Sequence, residues 1–170
     1  MKRTCILVLG ALLAVACGPN RETQIKNIEE HEQNLSMFDM GSDDAQAEEM
    51  LGLYHQFVKD FPDDSLAPVY LVKLADINIA LGRTDEAVAC LDSVINLYPG
   101  YDDLGGCLFL KGVAYEANEQ YDLARQAYTV FVDNYPDHYL ASDTRKMLPY
   151  VGMTPEEMLE AIMKGEPSEI

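Results

Sequence analysis

The sequence predicts an all-α chain built from stacked helical hairpins, and three observations predict it. Aromatic-proline dipeptides stand at Phe61-Pro62, Tyr98-Pro99 and Tyr135-Pro136, with the same separation of 37 residues both times. A fixed period in the range of roughly 20 to 50 residues is the signature of stacked repeats. Before each dipeptide, apolar residues recur at spacings of three and four: Met50, Tyr54, Phe57, Val58 and Phe61, then Ala87, Leu91, Val94, Ile95 and Tyr98, then Ala124, Tyr128, Phe131, Val132 and Tyr135. That spacing lays one apolar stripe along one helical face, three times over. The third observation is composition. Of 170 residues, 48% are hydrophobic, enough for a core, while a formal charge of -17 from 29 acidic against 12 basic side chains excludes attraction to a phosphate backbone. Nucleic acid is therefore not an expected partner.

The first element is a leader. Lys2 and Arg3 form a positive start, and an apolar run from Ile6 to Ala16 stops at Cys17. The run is shorter than the ~20 residues of a spanning helix, so residues 1–16 are expected to be a signal peptide and no later segment is expected to span a membrane. The cleavage end, Leu13-Ala14-Val15-Ala16-Cys17-Gly18, resembles a bacterial lipobox, in which Cys17 takes the lipid and becomes the mature first residue. The other reading is an ordinary secretory leader cut after Ala16. Two or three acyl chains, at about 0.8 kcal/mol per buried methylene, would hold the chain firmly to a bilayer. Removing the leader takes two of the 12 basic side chains and none of the 29 acidic ones, so the tether would be lipid rather than charge.

Residues 17–44 are expected to form a lipidated tether with an opening helix over about 22–35. The repeat domain is expected over 45–150. Within it, a second helix follows each aromatic-proline pair after a short polar link, over about 66–81 and 103–118, with a shorter one over 139–148. Ser65 is placed to cap the first of these, and Pro68 is tolerated in its first turn, where its amide needs no intrahelical partner. Gly82 closes that helix, and Thr84 with Asp85 and Glu86 reads as the cap and acidic first turn of the next. Pro149 ends the last regular helix. Residues 151–170 are expected to be a C-terminal capping helix and tail, because Thr154-Pro155-Glu156-Glu157 supplies an N-cap, a first-turn proline and a capping-box Glu ahead of Met158, Leu159, Ile162 and Met163. A short partner-binding helix is the alternative.

The order Leu71, Leu74, Ala75, Asn78, Leu81-Gly82, Ala87, Leu91, Val94, Pro99 resembles the tetratricopeptide repeat, and Leu108, Gly112, Tyr115, Ala124, Tyr128, Phe131, Pro136 resembles a second copy. The resemblance implies a short right-handed solenoid in which Ala75, Gly112, Ala87 and Ala124 lie where helices approach closely. It departs at Lys111, an apolar position in the family, at Glu119, where a turn glycine is usual, and at Arg145 in the seam of a degenerate third unit. The period exceeds the usual ~34 residues by three. That longer form resembles the periplasmic and outer-membrane repeat lipoproteins of the barrel-assembly and Tol-Pal-associated type. Such a solenoid presents a groove lined by one helix of each repeat, and the resemblance places Val69, Val72, Asp76, Ile79, Phe109, Val113 and Glu116 there. Either this groove takes an extended peptide or partner helix, or a terminal segment of the chain itself covers it.

The chemistry of the remaining residues is sparse. His31, His55 and His138 are dispersed, no cysteine pair has close metal-ligand spacing, and Gly105-Gly106 lacks the Lys-Ser or Lys-Thr of a phosphate loop. No catalytic residue, metal or cofactor is expected. The acids Asp39, Asp43, Asp44, Glu48 and Glu49 read as a solvated linker and helix start rather than a calcium loop. Cys5 leaves with the leader. Cys90 and Cys107 stand almost symmetrically about Tyr98-Pro99, and two alternatives stay open for them: a disulfide across adjacent helices, or two separate small buried thiols.

The expected function is a lipid-anchored, non-enzymatic scaffold or adaptor that binds another cell-envelope protein or peptide segment, at the outer membrane facing the periplasm. Gly18-Pro19-Asn20 lacks an Asp directly behind Cys17, which favours the outer membrane over inner-membrane retention. An accessory lipoprotein for glycan uptake or cell-wall processing is the alternative, ahead of an enzyme. Client, leaflet and oligomeric state are not encoded in any motif of the chain.

Overall fold

A computed structural model of the chain describes residues 20–34 and 44–165. Eight α-helices occupy them: α1 (Arg21–Asn34), α2 (Asp44–Asp60), α3 (Ala67–Ala80), α4 (Thr84–Leu97), α5 (Leu104–Ala117), α6 (Tyr121–Asn134), α7 (Ala141–Met147) and α8 (Pro155–Lys164), with a 3₁₀ turn at Leu148–Tyr150 between the last two. Among the described residues there is no strand. Each of α1 to α6 packs on the next, and α3 also touches α5, so the hairpins α1/α2, α3/α4 and α5/α6 stack in sequence. The fold is all-α, as the period requires. The leader, Cys17 and Asp39 to Asp43 lie outside the described residues.

The stripes read from sequence are the buried faces. Met50, Tyr54, Phe57, Leu91, Val94, Tyr128 and Phe131 are all buried, and one continuous core runs from Ile28 of α1 to Ala114 of α5. Smaller clusters continue it around Tyr128 with Leu148 and Val151, and around Phe131 with Ala141. Burying each such large apolar side chain contributes on the order of 1.5 to 3 kcal/mol before entropy is counted. Helices approach closely where side chains are small. Ala75, Ala87 and Ala124 are fully buried, and a Cβ added at Gly112 would meet the Tyr128 ring at 2.3 Å.

The turns repeat as well. α2, α4 and α6 stop at the residue before each aromatic-proline pair, where the aromatic amide still donates back to Phe57, Val94 or Phe131. Gly82 ends α3 with φ +69°, and Glu119, its counterpart one repeat later, adopts φ 58° without being glycine. The same bond closes both turns: Arg83 N to the Asn78 carbonyl and Gln120 N to the Tyr115 carbonyl, each 2.8 Å.

Two expected caps are corrected. Ser65 does not cap α3; the Leu66 amide donates instead to Asp64 Oδ1 at 2.9 Å. Thr84 is the first residue of α4 rather than its cap, because its buried hydroxyl is turned to the Ala114 carbonyl on α5. Asp103 caps α5 through the Gly106 amide at 2.7 Å. Thr154 and Glu157 form the expected capping box of α8, closed by Gly165 at φ 68°.

None of the residues of the C-terminal helix α8 is buried, and Met158, Leu159, Ile162 and Met163 are exposed along one side. The solenoid ends at the seven-residue α7 and the 3₁₀ turn, whose Leu148 and Val151 cover Tyr128. Arg145, expected in a seam, is exposed and donates to the Val132 carbonyl at 3.1 Å.

Candidate functional site

α3 buries Tyr70, Leu71, Leu74, Ala75, Ile77 and Asn78. At 100° per residue the remaining positions, Val69, Val72, Lys73, Asp76, Ile79 and Ala80, form a single outward stripe with Asp76 at its middle. One period later, the same stripe on α5 carries Phe109, Leu110, Val113, Glu116 and Ala117. These stripes carry the residues expected to line the groove, and the two halves differ in what is left over.

On α5 the groove residues are taken up by packing. The Phe109 ring lies 5.5 Å from that of Tyr128 and 5.7 Å from that of Phe131, and Val113 packs against the Tyr128 cluster. Glu116 accepts the Tyr128 hydroxyl at 2.8 Å, which with desolvation raises the pKa of that phenol. Phe109, Val113 and Glu116 are half-buried parts of the α5/α6 seam.

On α3 the stripe is more open. Val72 and Ile79 lean partly on the core, and Val69 lines a cleft of about 370 Å³ with Pro68, Tyr98, Tyr101 and the acids Asp63 and Asp102. Lys73 reaches away from the stripe: its Nζ lies 2.6 Å from Glu32 Oε1 on α1 and 5.7 and 5.9 Å from the centroids of the Tyr54 and Tyr70 rings. Those rings stack at 5.1 Å, and the Tyr54 hydroxyl donates to the same Glu32 oxygen at 2.7 Å. α1 thus fastens to α2 and α3 through Glu32, through the Arg21–Asp64 ion pair and through Gln24, whose Nε2 donates to Asp60 at 2.6 Å. None of these contacts covers Asp76, which is exposed and has no hydrogen-bond or ion-pair partner among the described residues. Crowding by its neighbours nonetheless raises its carboxyl above the usual range.

A second cleft, of about 430 Å³, lies between α2 and α4 and is lined by Leu51, Gly52, His55, Ala89 and Cys90, with Glu48 and Arg83 paired across it. Sequence reasoning missed it, because it forms between helices of successive hairpins and has no motif. Lys111, odd for a seam, is explained by its ion pair with Asp92 on α4.

Cys90 and Cys107 are free thiols, both buried, and no disulfide joins them. Among the described residues no group of three His, Cys, Asp or Glu could hold a metal ion, and no helix is long and apolar enough to cross a membrane. Of the acids at the start of α2, Glu48 pairs with Arg83 and Glu49 with His31.

The period, the paired turns and the alternating close approaches match a known pattern: the family model of the tetratricopeptide repeat matches residues 70–101 and 107–138. Residues 70–138 are a tetratricopeptide-repeat region. The first matched repeat comprises most of α3 with α4, and the second most of α5 with α6. No curated protein matches the chain. In this tetratricopeptide-repeat region α3 and α5 are the first helices of their repeats. The flanking hairpin α1/α2 and the short α7 extend the stack beyond the matched residues.

Proposed function

We propose that the chain is a lipid-anchored, non-enzymatic adaptor that holds another cell-envelope protein on the outward stripe of α3. The observation that supports it most is that stripe itself: Val69, Val72, Asp76 and Ala80 stay accessible on a rigid helix whose opposite face is fully committed to the core. A repeat surface built this way offers binding without chemistry, since its rigidity lowers the entropy cost of docking a segment. Anchoring rests on the sequence around Cys17, and the lack of an Asp directly behind it in Gly18-Pro19-Asn20 favours the outer membrane over inner-membrane retention.

Two experiments test the proposal. Growth of a heterologous Gram-negative expression host with an alkyne-tagged fatty acid should label the full chain but not Cys17→Ser; equal labelling, or none in either, would remove the anchor. Cross-linking in intact cells, followed by purification of the tagged chain, should recover one envelope protein whose yield falls in Val69→Glu and Ala80→Glu variants of unchanged helicity. Retention of that protein by both variants would move the interface off α3. Retention of glycan instead of protein would support an accessory role in carbohydrate uptake or wall processing.

A further inference from the structure

Asp76 is the odd residue of the α3 stripe. A carboxylate at the centre of an otherwise mostly apolar strip is costly to crowd, and the structure gives it nothing in return. The obvious cation, Lys73, sits one turn earlier on the same helix, but it is held 2.6 Å from Glu32 and lies over the Tyr54 and Tyr70 rings. The charge of Asp76 bears on Tyr54 of α2, on Tyr101 and on Cys107 at the start of α5. None of those groups is cationic. Desolvation there raises the carboxyl, a penalty that an incoming cation would offset.

We propose that Asp76 is the anchor for a lysine or arginine of the bound protein segment, with the apolar residues beside that cation lying on Val69 and Val72. This rests on the reading of the α3 stripe as the docking surface and names the chemistry of what docks. A long basic side chain suits the site because its methylene stem can cover Val72 while the charged tip reaches the carboxylate. An arginine would bind it through two parallel hydrogen bonds. The occupants that the chain's charge disfavours are consistent with this: a second copy of a chain with net charge -17, and anionic lipid, would both meet repulsion.

The test uses the full chain, fluorescently labelled, against immobilised 12-residue peptides with Leu and Val flanking a central Lys, Arg, norleucine or Glu, at 0.15 M salt. Peptides with central Lys or Arg should bind, and Asp76→Asn should weaken them by about tenfold, the scale of one charge-assisted contact. Binding of the norleucine peptides should not change. Asp133→Asn, an exposed acid on α6, should leave all affinities as they were. Equal losses in Asp76→Asn and Asp133→Asn would reduce the effect to net charge and overturn the assignment, as would a failure of basic peptides to bind. If Val69→Glu abolishes binding while Asp76→Asn does not, the docking surface stands and the anchor falls. Indifference to both substitutions sinks both.

Discussion

The Tyr98 hydroxyl donates to the Pro62 carbonyl oxygen at 2.7 Å, so the aromatic of one aromatic-proline pair is tied to the proline of the pair before it. The bond spans 36 residues and joins the ends of neighbouring units across their turn edge. Its neighbours, burial and Asp63, raise the phenol's pKa. Tyr98→Phe keeps the ring and removes only this bond. The expected cost is about 1 kcal/mol or less, seen as a drop of a few degrees in Tm with unchanged helicity. A loss of several kcal/mol would mean that the ring itself has moved.

Glu119 holds the left-handed turn position that Gly82 holds one repeat earlier. A side chain with a Cβ is strained there by roughly 1 kcal/mol. Glu119→Gly should therefore stabilise the chain by up to about that amount in urea titration, despite the greater freedom of glycine when unfolded. Gly82→Ala should do the opposite.

Gly112 and Gly52 predict a contrast. A Cβ at Gly112 meets the Tyr128 ring at 2.3 to 2.8 Å, and Tyr128 is fully buried, so Gly112→Ala should cost on the order of 1 to 3 kcal/mol as α5 and α6 are forced apart. At Gly52, inside α2, nothing lies within 4 Å, and Gly52→Ala should be stabilising by roughly 0.5 to 1 kcal/mol through helix propensity alone. The two variants need only be melted side by side.

Burial pushes the Cys107 thiol up to about 12, with Asp103 and Asp76 adding to the shift, and burial likewise raises Cys90. Native Cys107 at pH 8 then holds on the order of one part in ten thousand as thiolate. Iodoacetamide labelling, read at each site by peptide mapping, should be far slower than for a free thiol and should become rapid in urea. Fast native labelling of Cys107 would show that α5 opens locally.

The docking of α1 should depend on pH in two directions. The Arg21 guanidinium, with the Leu66 amide, holds Asp64 below its ordinary 3.8, and Gln56 and Gln24 do the same for Asp60. Lowered carboxyls give stability that is present above 3.8 and lost as pH falls through their folded values. His31 is raised above 6.5, first by the Asn27 carbonyl and then by Glu49, so its contribution is complete below 6.5 and lost as pH rises through its folded value. Amide exchange in α1, corrected for intrinsic rates, should be slowest between about pH 4 and 6.5, and Arg21→Ala should remove most of the acid limb. A flat profile would mean that Ile28 and the apolar contacts alone hold α1.

Much of this was legible in the sequence because it is local. The three apolar stripes, the stops before Pro62, Pro99 and Pro136, the turn at Gly82 and the Thr154 capping box each follow from residues within one or two helical turns. Cap identity was less legible. Asp64 outcompetes Ser65 for the Leu66 amide because Arg21, 43 residues away, fixes its carboxylate in place. In the third unit His138 Nδ1 accepts the Leu140 amide at 3.2 Å in the same manner, while its Nε2 meets Asp103 at 3.0 Å.

The sequence by itself determined the all-α class, the period, the hairpin order and the side of each helix that faces inward, since helix geometry turns spacing into direction. Only the tertiary structure decided which outward residues remain free. Phe109 and Asp76 occupy stripes that look equivalent along the chain, yet Phe109 is consumed by Tyr128 and Phe131 while Asp76 is left without a partner because Lys73 is drawn to Glu32. α8 likewise has every local mark of a capping helix, yet none of its residues is fully buried. A side chain's availability depends on what other segments bring within a few ångströms of it, and periodicity carries no information about that distance.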